Sequence, residues 1–179
     1  MIVVKHIYKS YGLSEVLSDV SFSLTAGQKA ALVGANGVGK STLLKIIAGI
    51  EKPDSGVIEL PSDACLGYLP QEIDISSNTT IEEYLKRVSG IEELEEKMRA
   101  LESSLVDPKK LNEYSNLQNI YTRLDGYAFD HRMKTILKGF GLTNISSKTL
   151  LKHLSGGYKT KIALAGILLK GVDILLLDE

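Results

Sequence analysis

The densest chemistry in the sequence lies in Gly34-Ala35-Asn36-Gly37-Val38-Gly39-Lys40-Ser41, which fits the spacing G-x-x-x-x-G-K-S/T of a phosphate-binding loop. Glycines let such a backbone curl until successive N–H groups converge on phosphate oxygens. A helix opening directly after the loop adds the partial positive charge of its N-terminus at the same point. In that arrangement Lys40 reaches the β- and γ-phosphates of a nucleotide and Ser41 holds Mg²⁺, while Gly34, Asn36, Gly37, Gly39 and Thr42 complete the cradle. A second candidate is the apolar run that ends in Asp178-Glu179. Asp178 would contact Mg²⁺ through water, and Glu179 would orient or deprotonate an attacking water. Met alone, two such acids merely solvate a strand end; the phosphate loop gives them a partner. A third is Leu154-Ser155-Gly156-Gly157-Tyr158, a glycine-rich helix start with a hydroxyl that suits an anion, although in isolation it also reads as a serine N-cap.

These groups need elements to position them. Val20, Phe22 and Leu24 alternate with Ser21 and Ser23, the period of a half-buried strand, and residues 2–33 as a whole read as strands. Ala30-Ala31-Leu32-Val33 predicts a buried parallel strand entering the loop, and Leu43, Leu44, Ile46 and Ile47 predict a helix leaving it and ending near Gly49. Pro53-Asp54-Ser55-Gly56 signals a turn, followed by short strands at 57–60 and 65–69. From Thr80 to Gly139 glutamate, lysine and leucine dominate. Ile91, Leu94, Met98, Leu101 and Leu105 form a helical stripe, Asp107-Pro108 breaks it, and 111–124 reads as a second helix of an antiparallel hairpin. A third helix spans about 131–138. A fourth follows Gly157 to Lys170, and 173–178 predicts a fully buried strand.

Composition sets limits on what this apparatus serves. The 179 residues are 44% hydrophobic and 24% charged, with a formal net charge of −1, so bulk charge gives no reason to expect a nucleic-acid or membrane surface. The single cysteine, Cys65, excludes an intramolecular disulfide and is expected to be a small buried core residue. The start reaches charge too soon for a signal peptide, and no apolar run approaches bilayer length. The expectation is a soluble, cytoplasmic protein without direct membrane insertion.

Taken in order, these motifs resemble the ATP-binding cassette (ABC) ATPase domains. Leu154-Ser155-Gly156-Gly157 resembles the family's LSGGQ signature, Tyr11 in Tyr8-Lys9-Ser10-Tyr11-Gly12 matches the aromatic that stacks on adenine, and Gln71 in Gly67-Tyr68-Leu69-Pro70-Gln71 matches the Q-loop glutamine that meets Mg²⁺ and the lytic water. The resemblance implies an α/β fold: a phosphate-loop NTPase (RecA-like) core with an N-terminal antiparallel β subdomain and an inserted α-helical subdomain. It places the core at 1–71 and 146–179 and the helical subdomain at 72–145. It implies ATP and Mg²⁺ as cofactors, with Gln71 and Glu179 catalytic and Ser41, Gln71 and Asp178 at the metal. Ser155, Gly156 and Gly157 would bind the γ-phosphate held by a second cassette, in the same polypeptide or in a homodimer. Tyr158 departs from the usual glutamine and Lys161 from the commoner arginine.

Thr80 to Leu85, Leu124-Asp125-Gly126-Tyr127 and Ile136 to Leu142 are similar to the F subfamily, soluble tandem cassettes that mostly act on the ribosome. On that resemblance the hairpin around 92–124 is a short arm. The D-loop and switch histidine that follow the acidic pair in the family lie beyond Glu179, and His6, His131 and His153 stand in the wrong places to substitute. The stretch is therefore expected to be the first cassette of a longer protein, weakly active alone. Two other readings stay open: the ATP-binding subunit of a transporter, gripping a membrane permease subunit, and an ATP-gated clamp in which hydrolysis only resets binding.

Overall fold

A computed structural model describes residues 1–73, 78–104 and 106–178. The chain forms two compact units, one of residues 1–71 with 173–179 and the other of residues 72–172. The return to the first unit thus falls at residue 173, where the sequence reading set it at 146.

In the first unit, β1 (Ile2–Tyr11) lies between β2 (Ser14–Leu24) and β3 (Ser55–Glu59) in an antiparallel sheet. β4 (Leu66–Leu69) pairs in parallel with β5 (Ile174–Leu177). The helix α1 (Lys40–Ile47) turns Leu43, Ile46 and Ile47 into a core shared with Val4, Ile7 and Leu17 of the antiparallel sheet and Leu176 of the parallel pair. The alternation read at Val20, Phe22 and Leu24 holds, with these residues half-buried and the serines exposed. A double irregularity interrupts β1 at His6, where register shifts fall on both sides of the strand. His6 and Asp19 both take left-handed backbone there (φ 49° and 50°), and the His6 Nδ1 lies 2.7 Å from the Asp19 carboxylate.

Three expectations are corrected. Ala30–Val33 forms no strand, and Val33 is 93% exposed; apolar content is compatible with a strand, but this run makes no ladder pairing among the described residues. β5 exists but is not fully buried, because Leu175 and Leu177 face outward. Cys65 is half-buried rather than a core residue: its N–H and carbonyl are used by Asp173, so it sits at the strand's fringe.

The second unit is helical. The sequence reading assigned no element to α2 (Ile81–Ser89), yet its start carries a capping box, Thr80 accepting from the Glu83 N–H while the Glu83 carboxylate accepts from Thr80. α3 (Ile91–Glu102) and α4 (Pro108–Arg123) make the expected hairpin; the supposed break is a helix start, with Asp107 capping the Lys109 N–H at 2.9 Å and Pro108 at N1. α4 buries none of its side chains. α5 (Phe129–Gly139) and α6 (Gly156–Lys170) complete the unit. Gly166 of α6 lets α2 approach closely, since a Cβ there would sit 3.0 Å from Val88 Cγ1. Arg132 ties two helix ends, donating to the carbonyls of Leu124 (2.7 Å) and Leu169 (3.1 Å).

Burial, with the Tyr121 hydroxyl donating to Glu95 at 3.0 Å, pushes the Tyr121 phenol up to about 12. The folded value lies above the ordinary phenol value near 10, so this stabilisation is complete below pH 10 and lost as the pH rises through 12. The unfolding midpoint of the wild type is expected to fall more steeply between pH 10 and 12 than that of Tyr121→Phe. Parallel curves would refute the coupling.

Candidate functional site

The parallel register of β4 and β5 (Leu66↔Ile174 through Leu69↔Leu177) brings their carboxyl ends together, so Gln71 and Asp178 emerge at one edge. The carboxyl ends of parallel strands are where α/β folds bind ligands. α1 starts at the same place, and Asn36, Gly37, Lys40, Ser41 and Gln71 line a cleft of about 200 Å³.

The loop is curled as the glycine spacing predicts, with positive φ at Gly37 (82°) and Gly39 (93°). Gly39 is the N-cap of α1, and no side chain caps the helix, which leaves its first N–H groups available to an anion. A Cβ on Gly39 would stand 2.7 Å from Val16 Cγ1 and 3.0 Å from the Val16 carbonyl, so both the dihedral and the space demand glycine. Lys40 folds back over the loop and donates to the carbonyls of Gly34 and Ala35, each at 3.0 Å. That places its ammonium above the curl of amides.

Ser41 Oγ donates to Asp178 Oδ1 at 2.8 Å, which closes the two strongest sequence signals into one site. Asp178 is only 5% exposed. Among the described residues no lysine or arginine pairs with it. A buried carboxylate without a cationic partner is costly, and its hard oxygens with the Ser41 hydroxyl suit Mg²⁺. No cluster of three or more His, Cys, Asp or Glu side chains among the described residues could cage a metal alone, so the remaining ligands of such an ion would be phosphate and water oxygens.

Sequence reasoning missed Tyr68. Its hydroxyl donates to Asp178 Oδ2 at 2.9 Å, so both carboxylate oxygens are held. Burial, and then this bond, push the Tyr68 phenol up to about 12. The available signal was a single hydroxyl in the otherwise apolar strand Leu66–Leu69.

Tyr11 ends β1 with half its surface exposed, and its hydroxyl donates to Glu51. Thr42, the last residue of the expected cradle, lies in the first turn of α1. Ser155, Gly156 and Gly157 are exposed at the start of α6 in the second unit. Ser155 occupies the N-cap with extended backbone (ψ 160°), and its side chain makes no capping bond. The two departures from the signature meet: the Lys161 ammonium lies 6.0 Å from the Tyr158 ring centroid and donates to the Phe140 carbonyl. Glu179, the residue expected to orient or deprotonate the attacking water, lies outside the described residues.

A family profile described as "ABC transporter" matches residues 17–179. The chain is 35% identical over 181 residues to the tylosin resistance ATP-binding protein TlrC of Streptomyces fradiae, covering 97% of this chain and 33% of that protein. It is 33% identical to ABC transporter F family member 5 of Arabidopsis thaliana, over 98% of this chain and 27% of the relative. It is 34% identical to the energy-dependent translational throttle protein EttA of Haemophilus influenzae, over 92% and 30%. The chain thus spans a third or less of these relatives. A solved ATP-binding subunit of an ABC transporter superposes with a TM-score of 0.74 at 23% identity, over 100% of this chain and 66% of that one; this likeness concerns the fold. No helix among the described residues is long and apolar enough to cross a membrane.

Proposed function

The chain belongs to the ABC transporter family, and on that footing we propose that it is the Mg·ATP-binding part of a tandem-cassette F-subfamily ATPase that acts in translation. The observation that carries the ATPase reading is the 2.8 Å contact between Ser41 of the loop and Asp178, residues that lie 137 positions apart. The amides from Gly37 into α1, with Lys40 above them, would hold the phosphates. Ser41 and Asp178 would hold Mg²⁺, which when bound neutralises charge on the β- and γ-phosphates. Gln71, on the rim of the same cleft, would orient the lytic water and Glu179 would take its proton, giving ADP and phosphate. Ser155, Gly156 and Gly157 would meet the nucleotide of a second cassette, so ATP joins two cassettes and hydrolysis releases them.

What supports the translational role is the hairpin of α3 and α4, together with the resemblance to TlrC, the Arabidopsis F-family protein and the translational throttle EttA. The fold likeness to a transporter's ATP-binding subunit favours a second reading, coupling to a membrane permease. Two measurements test these statements. Asp178→Asn is expected to reduce the tightening of ATP binding by Mg²⁺ about tenfold; an unchanged Mg²⁺ dependence in calorimetry would remove Asp178 from the metal. The intact protein is expected to co-sediment with ribosomes more in ATP than in ADP, whereas ribosome-independent recovery with a permease would move the assignment to transport.

A further inference from the structure

Outside the phosphate cradle, the densest polar network in the first unit surrounds Tyr11. The Tyr11 hydroxyl donates to Glu51, and Lys9 Nζ lies 3.5 Å from the same carboxylate. Lys9 also pairs with Asp54 at 3.3 Å, donates to the Lys52 carbonyl at 2.9 Å and stands 5.4 Å from the Tyr11 ring centroid. Asp54 closes the circuit by accepting from the Ser10 N–H at 2.7 Å, while its own N–H donates to the Tyr8 carbonyl at 2.9 Å. The loop after α1 is therefore stapled to the end of β1 at several points. Lys9 is only 14% exposed in its side chain and Glu51 24%, although the ring they hold is half exposed.

The network joins β1 to the loop after α1 and includes no residue of β2. Tyr11 immediately precedes the turn at Gly12, and an aromatic side chain there would otherwise be free about two torsions. Anchoring its hydroxyl orders the ring before any ligand arrives, and preorganised contacts bind more tightly than those ordered on binding. The anchor also sets distance. Glu51 lies four residues past the end of α1, and its N–H donates to the Lys45 carbonyl of that helix at 3.3 Å. The opposite end of α1 carries Lys40, Ser41 and Thr42. The ring and the phosphate cradle are thus referenced to the two ends of one rigid element.

We propose that Glu51, braced by Lys9, is a positioning residue that fixes the Tyr11 ring at a set distance from the phosphate cradle and so sets how much the nucleobase adds to binding. This rests on the reading of Tyr11 as the ring that stacks on adenine. Glu51 touches no phosphate; its effect is confined to the base. A purely structural role would weaken every ligand of the site alike.

The test takes the dissociation constant of Mg·tripolyphosphate divided by that of Mg·ATP for the intact protein, because this ratio isolates what the base adds. Tyr11→Ala is expected to lower the ratio about tenfold. Glu51→Ala and Tyr11→Phe should each lower it about three- to fivefold, Glu51→Gln less, since an amide oxygen still accepts from the phenol, and the Tyr11→Phe/Glu51→Ala pair no more than either alone. A wild-type ratio in Glu51→Ala beside a reduced one in Tyr11→Ala would overturn the positioning role and leave the stacking reading intact. Equal losses for both ligands in Glu51→Ala would also overturn it. A wild-type ratio in Tyr11→Ala would remove the stacking reading itself, and the proposal with it.

Discussion

Replacing Lys40 with alanine is expected to weaken ATP binding by roughly 10- to 150-fold, the equivalent of about 1.5–3 kcal/mol for a charge-assisted phosphate contact. The ammonium is already bound by two loop carbonyls at 3.0 Å, so little side-chain entropy remains to be lost when phosphates arrive. Its removal deletes a fixed charge rather than a mobile one. Lys40→Arg should not restore affinity, because a planar fork cannot occupy the space of a compact ammonium above the loop. Calorimetry on the wild type and both variants provides the check; equal affinity in Lys40→Ala would mean the loop holds phosphate by its amides alone.

The second large effect is one of stability. Gly56 has φ 97°, and a Cβ there would lie 2.2 Å from the His6 carbonyl oxygen and 2.6 Å from the Lys5 carbonyl oxygen. Those atoms belong to the bulge of the central strand, so neither β1 nor β3 can yield without losing ladder bonds on both sides of β1. Gly56→Ala is expected to cost about 3–5 kcal/mol. Gly49→Ala is the control: φ is 71° but a Cβ meets nothing within 4 Å, so only the left-handed strain of about 1–2 kcal/mol applies. Urea midpoints by circular dichroism should separate the two variants clearly, and similar losses would show that β1 and β3 can part at little cost.

Local signals were legible and pairwise ones were not. The phosphate loop and its helix could be read because their requirements, glycine spacing and an apolar period, are written within fourteen consecutive residues, Gly34–Ile47. Gly56 reads in the sequence only as part of a turn; the bulge at His6 that demands its positive φ is a matter of register between distant strands. Ala30–Val33 differs for the same reason, since apolar content reports readiness to pair and not whether the pairing forms. The Thr80–Glu83 capping box is legible in the sequence, but its signal spans four residues and is weaker than the apolar stripe from Ile91 that follows it. Tyr68 could be assigned only once the β4–β5 register placed it beside Asp178. The Glu51 network was hidden because forty residues separate its members along the chain.

The outward side of β5 has a chemical consequence of its own. Among the described residues Ile174, Leu175, Leu176 and Leu177 pair only with β4, and neither charge nor proline interrupts them. Such an edge is a template for intermolecular strand addition. A solution of the 179 residues should thus scatter increasing light with concentration and bind an amyloid dye, and a lysine at Leu175, which is 40% exposed, should suppress both.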